Sequence, residues 1–215
     1  MFDTYLRIAL RQKLTVQFPP LRKRPRICPP VTDIAYDDVM NLERPLAPDP
    51  YELLPAVPSF TLTSPTLTDG GVMPERHLGF ADNVSPALEW SGFPPETQGF
   101  AVTCFDPDAP TPSGYWHWIV LDLVDVTSLD EGAGQHDLTL PGAASHIRND
   151  ANEFAYYGAA PPPGDVHPHR YIFVVHALDV PSLELDPEDT TPATAAFHTV
   201  FHTLARARLT VTYQR

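Results

Sequence analysis

Ala101–Leu123 reads AVTCFDPDAPTPSGYWHWIVLDL, two nearly continuous apolar runs split by a turn that carries three prolines. No other stretch restricts the fold more. Pro107, Pro110 and Pro112 have no N–H to give to a ladder, so backbone pairing has to stop at Asp106. The flanking runs, Phe100–Asp106 and Tyr115–Val124, suit central strands covered on both faces. Period two then puts Asp106 on the Val102/Cys104 face and His117 on the Tyr115/Ile119/Leu121 face. Two carboxylates and an imidazole gathered at one end of an apolar strand pair make a candidate site. The alternative is that Asp106 and Asp108 only cap a proline turn.

The rest of the chain supports a β-rich domain. It holds 26 prolines against 11 glycines, which favours short strands joined by rigid turns over long helices. FTLTS (Phe60–Ser64) alternates and reads as a first strand. ALEWSG places Leu88 and Trp90 on one face of a second, and Leu138–Leu140 reads as a brief third. In His169–Val180, His169, Tyr171, Phe173 and Val175 share one face, and Arg170, Ile172, Val174 and His176 the other. Thr191-Pro192 is an N-cap and first helical residue. The helix it starts is expected over Ala193–Ala205, with Ala196, Phe197, Val200, Phe201 and Leu204 as its apolar stripe. Arg208–Tyr213 closes the chain as a strand. Gly142–His169 is too long for an ordinary connection, and long loops in small domains usually carry function.

Charge is unevenly placed. The formal net charge is -13, yet residues 1–50 hold 8 of the 14 basic and only 6 of the 27 acidic side chains. The remainder repels nucleic-acid phosphates and anionic lipid surfaces, so nucleic-acid binding is excluded for the main domain. Residues 1–50 form an N-terminal extension with a short amphipathic patch (Tyr5, Leu6, Ile8, Leu10), a basic proline-rich run (Leu21–Pro30) and an acidic patch (Asp33–Asp38). One reading is a membrane-surface or partner-binding arm. The reading preferred on composition is a disordered tail or translated leader, with Met40 as the true initiator. Residues 41–58 read as an extended strap, and 51–215 as the folded domain. Cys28 and Cys104 read as free thiols in a reduced, cytoplasmic setting. No secretory h-region or membrane-spanning run is visible.

NVSPALEWSG (Asn83–Gly92), DPDAP (Asp106–Pro110), YWHWIV (Tyr115–Val120), APPPG (Ala160–Gly164), HRYIFVVHALD (His169–Asp179) and HTLARARLTVTY (His202–Tyr213) occur in one order. From about Pro58 to Arg215 the chain resembles the phosphatidylethanolamine-binding protein family, in its bacterial, Raf kinase inhibitor-like branch. The resemblance implies an all-β sandwich of two antiparallel sheets, with a C-terminal helix and a small anion pocket at one end. It implies a binding rather than catalytic protein, without cofactor or metal. Its partners would be a small anionic ligand or phospholipid head group and a protein target, a kinase or another enzyme. The chain itself would be a monomer or homodimer.

By the same resemblance the ligand-binding residues are Asp106, Asp108, Pro110, His117, Ala160, Pro162, His169 and Tyr171. His117 and His169 offer N–H donors, and Asp106 holds a histidine tautomer from behind. Ala109–Pro110 is expected to be cis, as X–Pro bonds in tight turns can be. Gly158-Ala159-Ala160 departs from the family's usual Gly-Pro element, and the Ala160 methyl is expected to narrow the mouth. His176 departs from a common aromatic. Two alternatives stand: a hydrolase using His117 and Asp106 as a general-base pair, or an interaction module with a vestigial pocket. His198 and His202 have an i, i+4 metal spacing and His167 and His169 flank a proline, but no third ligand lies nearby in sequence.

Overall fold

The computed structural model describes residues 42–215. Its strands are β1 (Thr61–Thr63), β2 (Leu88–Ser91), β3 (Gly99–Asp106), β4 (Tyr115–Leu123), β5 (Ser128–Leu129), β6 (Ser145–His146), β7 (His169–Leu178) and β8 (Thr203–Tyr213), with one α-helix, α1 (Pro192–His202). They form a five-stranded sheet in the order β6-β4-β3-β7-β8 and a three-stranded sheet β1-β2-β5. Every strand pairing within the two sheets is antiparallel. β3 and β7 occupy the middle of the large sheet and are buried along almost their whole length, which is why they lack the alternation of half-exposed strands.

One face of the large sheet packs on the small one. Leu88 and Trp90 of β2 meet Val102, Cys104, Trp118, Val120, Phe173 and Val175 in the main core. Each such side chain, fully buried, stabilises the fold by about 1.5–3 kcal/mol. The opposite face carries Ala101, Ile119 and Leu121 against Ala195 of α1, and Ile172 and Val174 against Tyr51. Tyr51 belongs to a single 3₁₀ turn, Pro50–Glu52, capped by the Asp49 carboxylate on the Tyr51 N–H. The extended segment from Leu42 to Ser59 lies over this side as a strap.

Two expectations need correction. Asp137–Thr139 is a 3₁₀ turn, not part of a strand at Leu138–Leu140. Thr139 Oγ1 accepts the His136 N–H and has the carbonyls of Ala133 and His136 within reach of its single proton, local bonding that competes with ladder pairing. The two-residue strands β5 and β6 were too short to show any periodicity. The second correction concerns α1. Thr191 caps it through Thr194 N–H and Pro192 opens it, as expected. It ends at His202 and passes into β8 with no intervening loop, which fixes its rotation. The helix buries Ala195 and Thr199, while Phe197 and Phe201 are 62% and 71% exposed. Leu204 belongs to the strand.

The amphipathic patch, the basic and acidic runs, Cys28 and Met40 lie outside the described residues. Among the described residues, no helix is long and apolar enough to cross a membrane. Cys104 is a buried free thiol of the main core, and burial pushes its pKa well up.

Candidate functional site

The Asp-Pro turn is closed from within. Asp106, the last residue of β3, accepts the Asp108 N–H on Oδ1 at 2.8 Å. Gly114 returns the chain in the left-handed region (φ 68°), where a Cβ would also strike the Phe105 ring. Every peptide bond among the described residues is trans, so the expected cis Ala109–Pro110 bond does not occur. The carboxylate cap and the glycine supply the reversal instead.

A β-bulge in β4 decides where His117 points. Cys104 pairs with Trp118 and Phe105 with Trp116, which leaves His117 without a partner on β3. The extra residue breaks the period of two. His117 therefore does not share the Ile119/Leu121 face. It joins Tyr115 and Trp118 on the face of Asp106, His169 and Tyr171, while Trp116 turns to the helix side with Phe105. Its backbone carbonyl, freed from the ladder, accepts Tyr157 N–H at 2.9 Å, and its ring Nδ1 donates to Tyr157 O at 2.7 Å.

That pair of bonds docks the long Gly142–His169 loop. Tyr156 OH donates to His77 O, and Gly158 N–H donates to Asn83 Oδ1. A Cβ on Gly158 would run into the His77 carbonyl, so only glycine lets these backbones approach so closely. The NVSP stretch thus has a job: Asn83 sits at φ 54°, aiming its side chain at the loop. Beyond Gly158, Ala160–Pro162 form one wall of a cavity of about 260 Å³, with Ala109–Thr111 opposite.

Seven of the eight expected residues line that cavity: Asp106, Pro110, His117, Ala160, Pro162, His169 and Tyr171. Asp108 does not. Its buried carboxylate accepts the Arg170 backbone N–H and both prongs of the Arg170 guanidinium, at 2.7–3.0 Å. Burial alone would raise the Asp108 pKa, but the Arg170 bonds outweigh it and lower the value.

His169 is held more tightly than the sequence implied. Nδ1 donates to Asp106 Oδ2 at 2.7 Å and Nε2 to Asp165 Oδ2 at 2.9 Å. Both ring nitrogens being donors, the ring is an imidazolium. Burial opposes that charge, but the two carboxylates raise its pKa above the ordinary imidazole value. Arg44 of the strap then grips both Asp165 oxygens at 2.9–3.0 Å and reaches the Asp108 carbonyl. Burial would raise the Asp165 carboxyl; hydrogen bonds from Arg44, His169 and the His167 amide instead hold it at about 2. Asp106, His169, Asp165 and Arg44 so form an alternating, internally neutralised chain. His169 has no N–H left to offer a ligand.

His117 is the opposite case. Burial lowers its pKa, and Asp106 with the Tyr157 and Gly158 carbonyls only partly offsets this. The ring is neutral near pH 7, with Nδ1–H fixed on Tyr157 O, so Nε2 presents a lone pair. Tyr171 OH is buried beside the Ala160 backbone without a well-formed hydrogen bond. The general-base pair of His117 with Asp106 is not assembled, because Asp106 serves His169. Of the histidines with metal spacing, His202 donates to Asp179, His198 packs against Phe197, and His167 meets the Arg44 carbonyl.

Sequence reasoning missed Asp165, Arg44 and the Tyr115 and Tyr157 walls. Asp165 stands four residues before His169 in a loop already marked as functional, so a signal existed. Arg44 had none, being one arginine in an extended segment.

Residues 63–214 match the family model described as phosphatidylethanolamine-binding protein. The UPF0098 protein YbhB of Escherichia coli is 43% identical over 158 residues, 71% of this chain and 98% of YbhB. The UPF0098 protein YbcL of the same organism is 39% identical over 163 residues, 73% of this chain and 88% of YbcL. The crystal structure of E. coli YbcL, described as a new member of the mammalian PEBP family, superposes with a TM-score of 0.70 at 38% identity. That match covers 73% of this chain and 99% of the other. A PEBP homolog from Chlamydia trachomatis, CT736, gives a TM-score of 0.61 at 29% identity over 73% and 98% of the two chains. By sequence and by fold, this chain belongs to the phosphatidylethanolamine-binding protein family.

Proposed function

We propose that this chain binds a small phosphate-bearing molecule, of the size of a phospholipid head group, in the cavity walled by His117 and Tyr171. One observation carries the reading: how the polar groups at this end of the sheet are shared out. The carboxylates of Asp106, Asp108 and Asp165 are engaged by His169, Arg170 and Arg44. His117 Nε2 is left for the cavity, and Tyr171 OH, sealed from solvent in the cavity wall, has no hydrogen-bond partner among the described residues. A phosphomonoester monoanion matches both at once. Its oxyanion accepts from Tyr171 OH, and its P–OH donates to the neutral His117 ring. A volume near 260 Å³ admits a head group and leaves acyl chains outside. The family's name points to phosphoethanolamine as the first compound to try. The free lone pairs of Asp106 then face its ammonium.

The test is a titration of the full chain with inorganic phosphate and with phosphoethanolamine at pH 6 and pH 8, followed through histidine ring NMR signals. The His117 ring should shift saturably, and binding should be tighter at pH 6, where about half of a phosphomonoester is the monoanion, than at pH 8, where about one part in a hundred is (second pKa about 6). His169 should titrate above the ordinary imidazole value. Tyr171→Phe should weaken binding about tenfold, the worth of one hydrogen bond to a charged group. Phosphoethanolamine should be recovered unchanged, as for a binding protein. An unmoved His117 ring at millimolar ligand, or an indifferent Tyr171→Phe, would refute the proposal.

A further inference from the structure

A second cavity lies elsewhere, on the other face of the large sheet. It has a volume of about 650 Å³ and is enclosed by Tyr51 and Leu54 of the strap, Trp116 of β4, and Val200 and Phe201 of α1. Its lining contains no Asp, Glu, Lys or Arg. In a chain of net charge -13, such an unbroken neutral wall leaves a charged ligand without a counter-ion there.

Four polar side chains interrupt the apolar lining, and three of them are turned to the protein: Tyr51 OH meets Thr103 Oγ1 at 3.4 Å, and Thr199 Oγ1 donates to Ala195 O. His176 is 3% exposed and sits at the cavity wall. Its hydrogen bonding fixes its tautomer. Thr203 Oγ1 has a single proton, which it donates to Thr199 O at 2.6 Å. The 3.1 Å contact between that oxygen and His176 Nδ1 must then be donated by the ring. Burial, and Arg206 on the neighbouring strand, push the ring's pKa down to about 3, so it stays neutral. Nε2 is therefore an acceptor. No protein donor meets it among the described residues, and the ring lines the cavity. The arrangement also explains the exposed Phe197 and Phe201. Their rings, 4.8 Å apart and edge to face, form the lip of the cavity.

From these observations we infer a second ligand site, for an uncharged apolar molecule carrying one hydroxyl group that donates its hydrogen bond to His176 Nε2. The volume lies within the ~300–1,000 Å³ typical of small-molecule sites. The lining offers a carboxylate or an amine no counter-ion, and the His176 acceptor favours a donor over an ether or ester of the same shape. The site lies across the sheet from the head-group cavity, and its occupancy does not depend on that cavity.

The test uses the full chain and three probes: 1-octanol, its isomer methyl heptyl ether, and octanoate at pH 8. Trp116 lines the cavity and reports through its emission and its indole N–H signal; Trp90 and Trp118 belong to the other core. Octanol should bind saturably and shift Trp116. The ether and octanoate should each bind about tenfold more weakly. His176→Phe should bring octanol down to the level of the ether, and Ala196→Trp should fill the cavity and abolish binding. Equal binding of octanol and ether to the unmodified chain would overturn the assignment, and this comparison needs no variant to fold. An octanol site that survives Ala196→Trp would overturn it too. So would sedimentation showing a dimer that Phe201→Ser disperses, in a chain that takes up no octanol; a second copy would then be the occupant of this face.

Discussion

Asp106→Asn tests the charge chain at the sheet end most directly. The Asp106 carboxylate is 2% exposed, caps Asp108 N–H with Oδ1, and accepts His169 Nδ1–H at 2.7 Å with Oδ2. Asparagine is nearly isosteric and keeps an oxygen for Asp108. Its amide nitrogen then faces His169 Nδ1, which has to become an acceptor. The ring can comply only by losing its charge and keeping Nε2–H on Asp165. Breaking a buried ion pair costs about 3–5 kcal/mol. With the hydrogen bonds re-satisfied, the lower end applies, about 3 kcal/mol. At a urea m-value of about 2 kcal/mol/M, that is a fall of about 1.5 M in the unfolding midpoint.

The pH dependence gives the sharper check. In the native chain the folded pKa of His169 is raised. Its contribution is fully present below the unfolded value of about 6.5 and is lost as pH rises through the folded value. In Asp106→Asn the folded pKa drops, so the variant loses stability as pH falls. The gap between the two proteins should therefore widen from pH 9 to pH 6. Urea unfolding by tryptophan emission at both pH values measures it, and ring ¹⁵N shifts report the tautomer. A gap constant with pH, or a native His169 that titrates at the ordinary imidazole value, would refute the imidazolium assignment.

Three other outcomes are expected. Arg170→Met strands the buried Asp108 carboxylate and should cost about 3–5 kcal/mol in urea unfolding; adding Asp108→Ala should recover more than half of that, because the unpaired charge goes with it. Gly158→Ala forces a methyl group against the His77 carbonyl, an overpacking cost of about 1–3 kcal/mol, seen as a fall in Tm of about 2–12 °C. In a Cys28→Ser background, Cys104 should resist a thiol reagent at pH 8 until urea unfolds the chain, because the thiol is buried and its pKa is raised; rapid labelling of the native protein would contradict that.

Much of the fold was legible in the chain because its signals are local. Prolines at 107, 110 and 112 end a ladder wherever they occur, and Thr191-Pro192 caps and opens a helix by its own geometry. The apolar faces of β2 and β7 follow from period two. Seven of the residues that the family motifs picked out line the cavity of about 260 Å³. Local rules failed where a single residue changed the register or where the partner was distant. Period two put His117 on the wrong face because a bulge adds one residue to β4. The helix stripe misled because α1 feeds directly into β8, and the strand sets its rotation.

The sequence by itself determined the long central strands, the sheet-end turn, the family and the side chains available for chemistry, since each is written in residues close together along the chain. Tertiary structure alone decided what those side chains do. Asp108 and Arg170 are 62 residues apart, Asp106 and His169 are 63, and Arg44 and Asp165 are 121. No local pattern says which carboxylate meets which cation, and that pairing locks His169 while His117 Nε2 is left out of it. The cavity beneath α1 is likewise absent from any stretch of sequence, because strap, sheet and helix enclose it only when folded together.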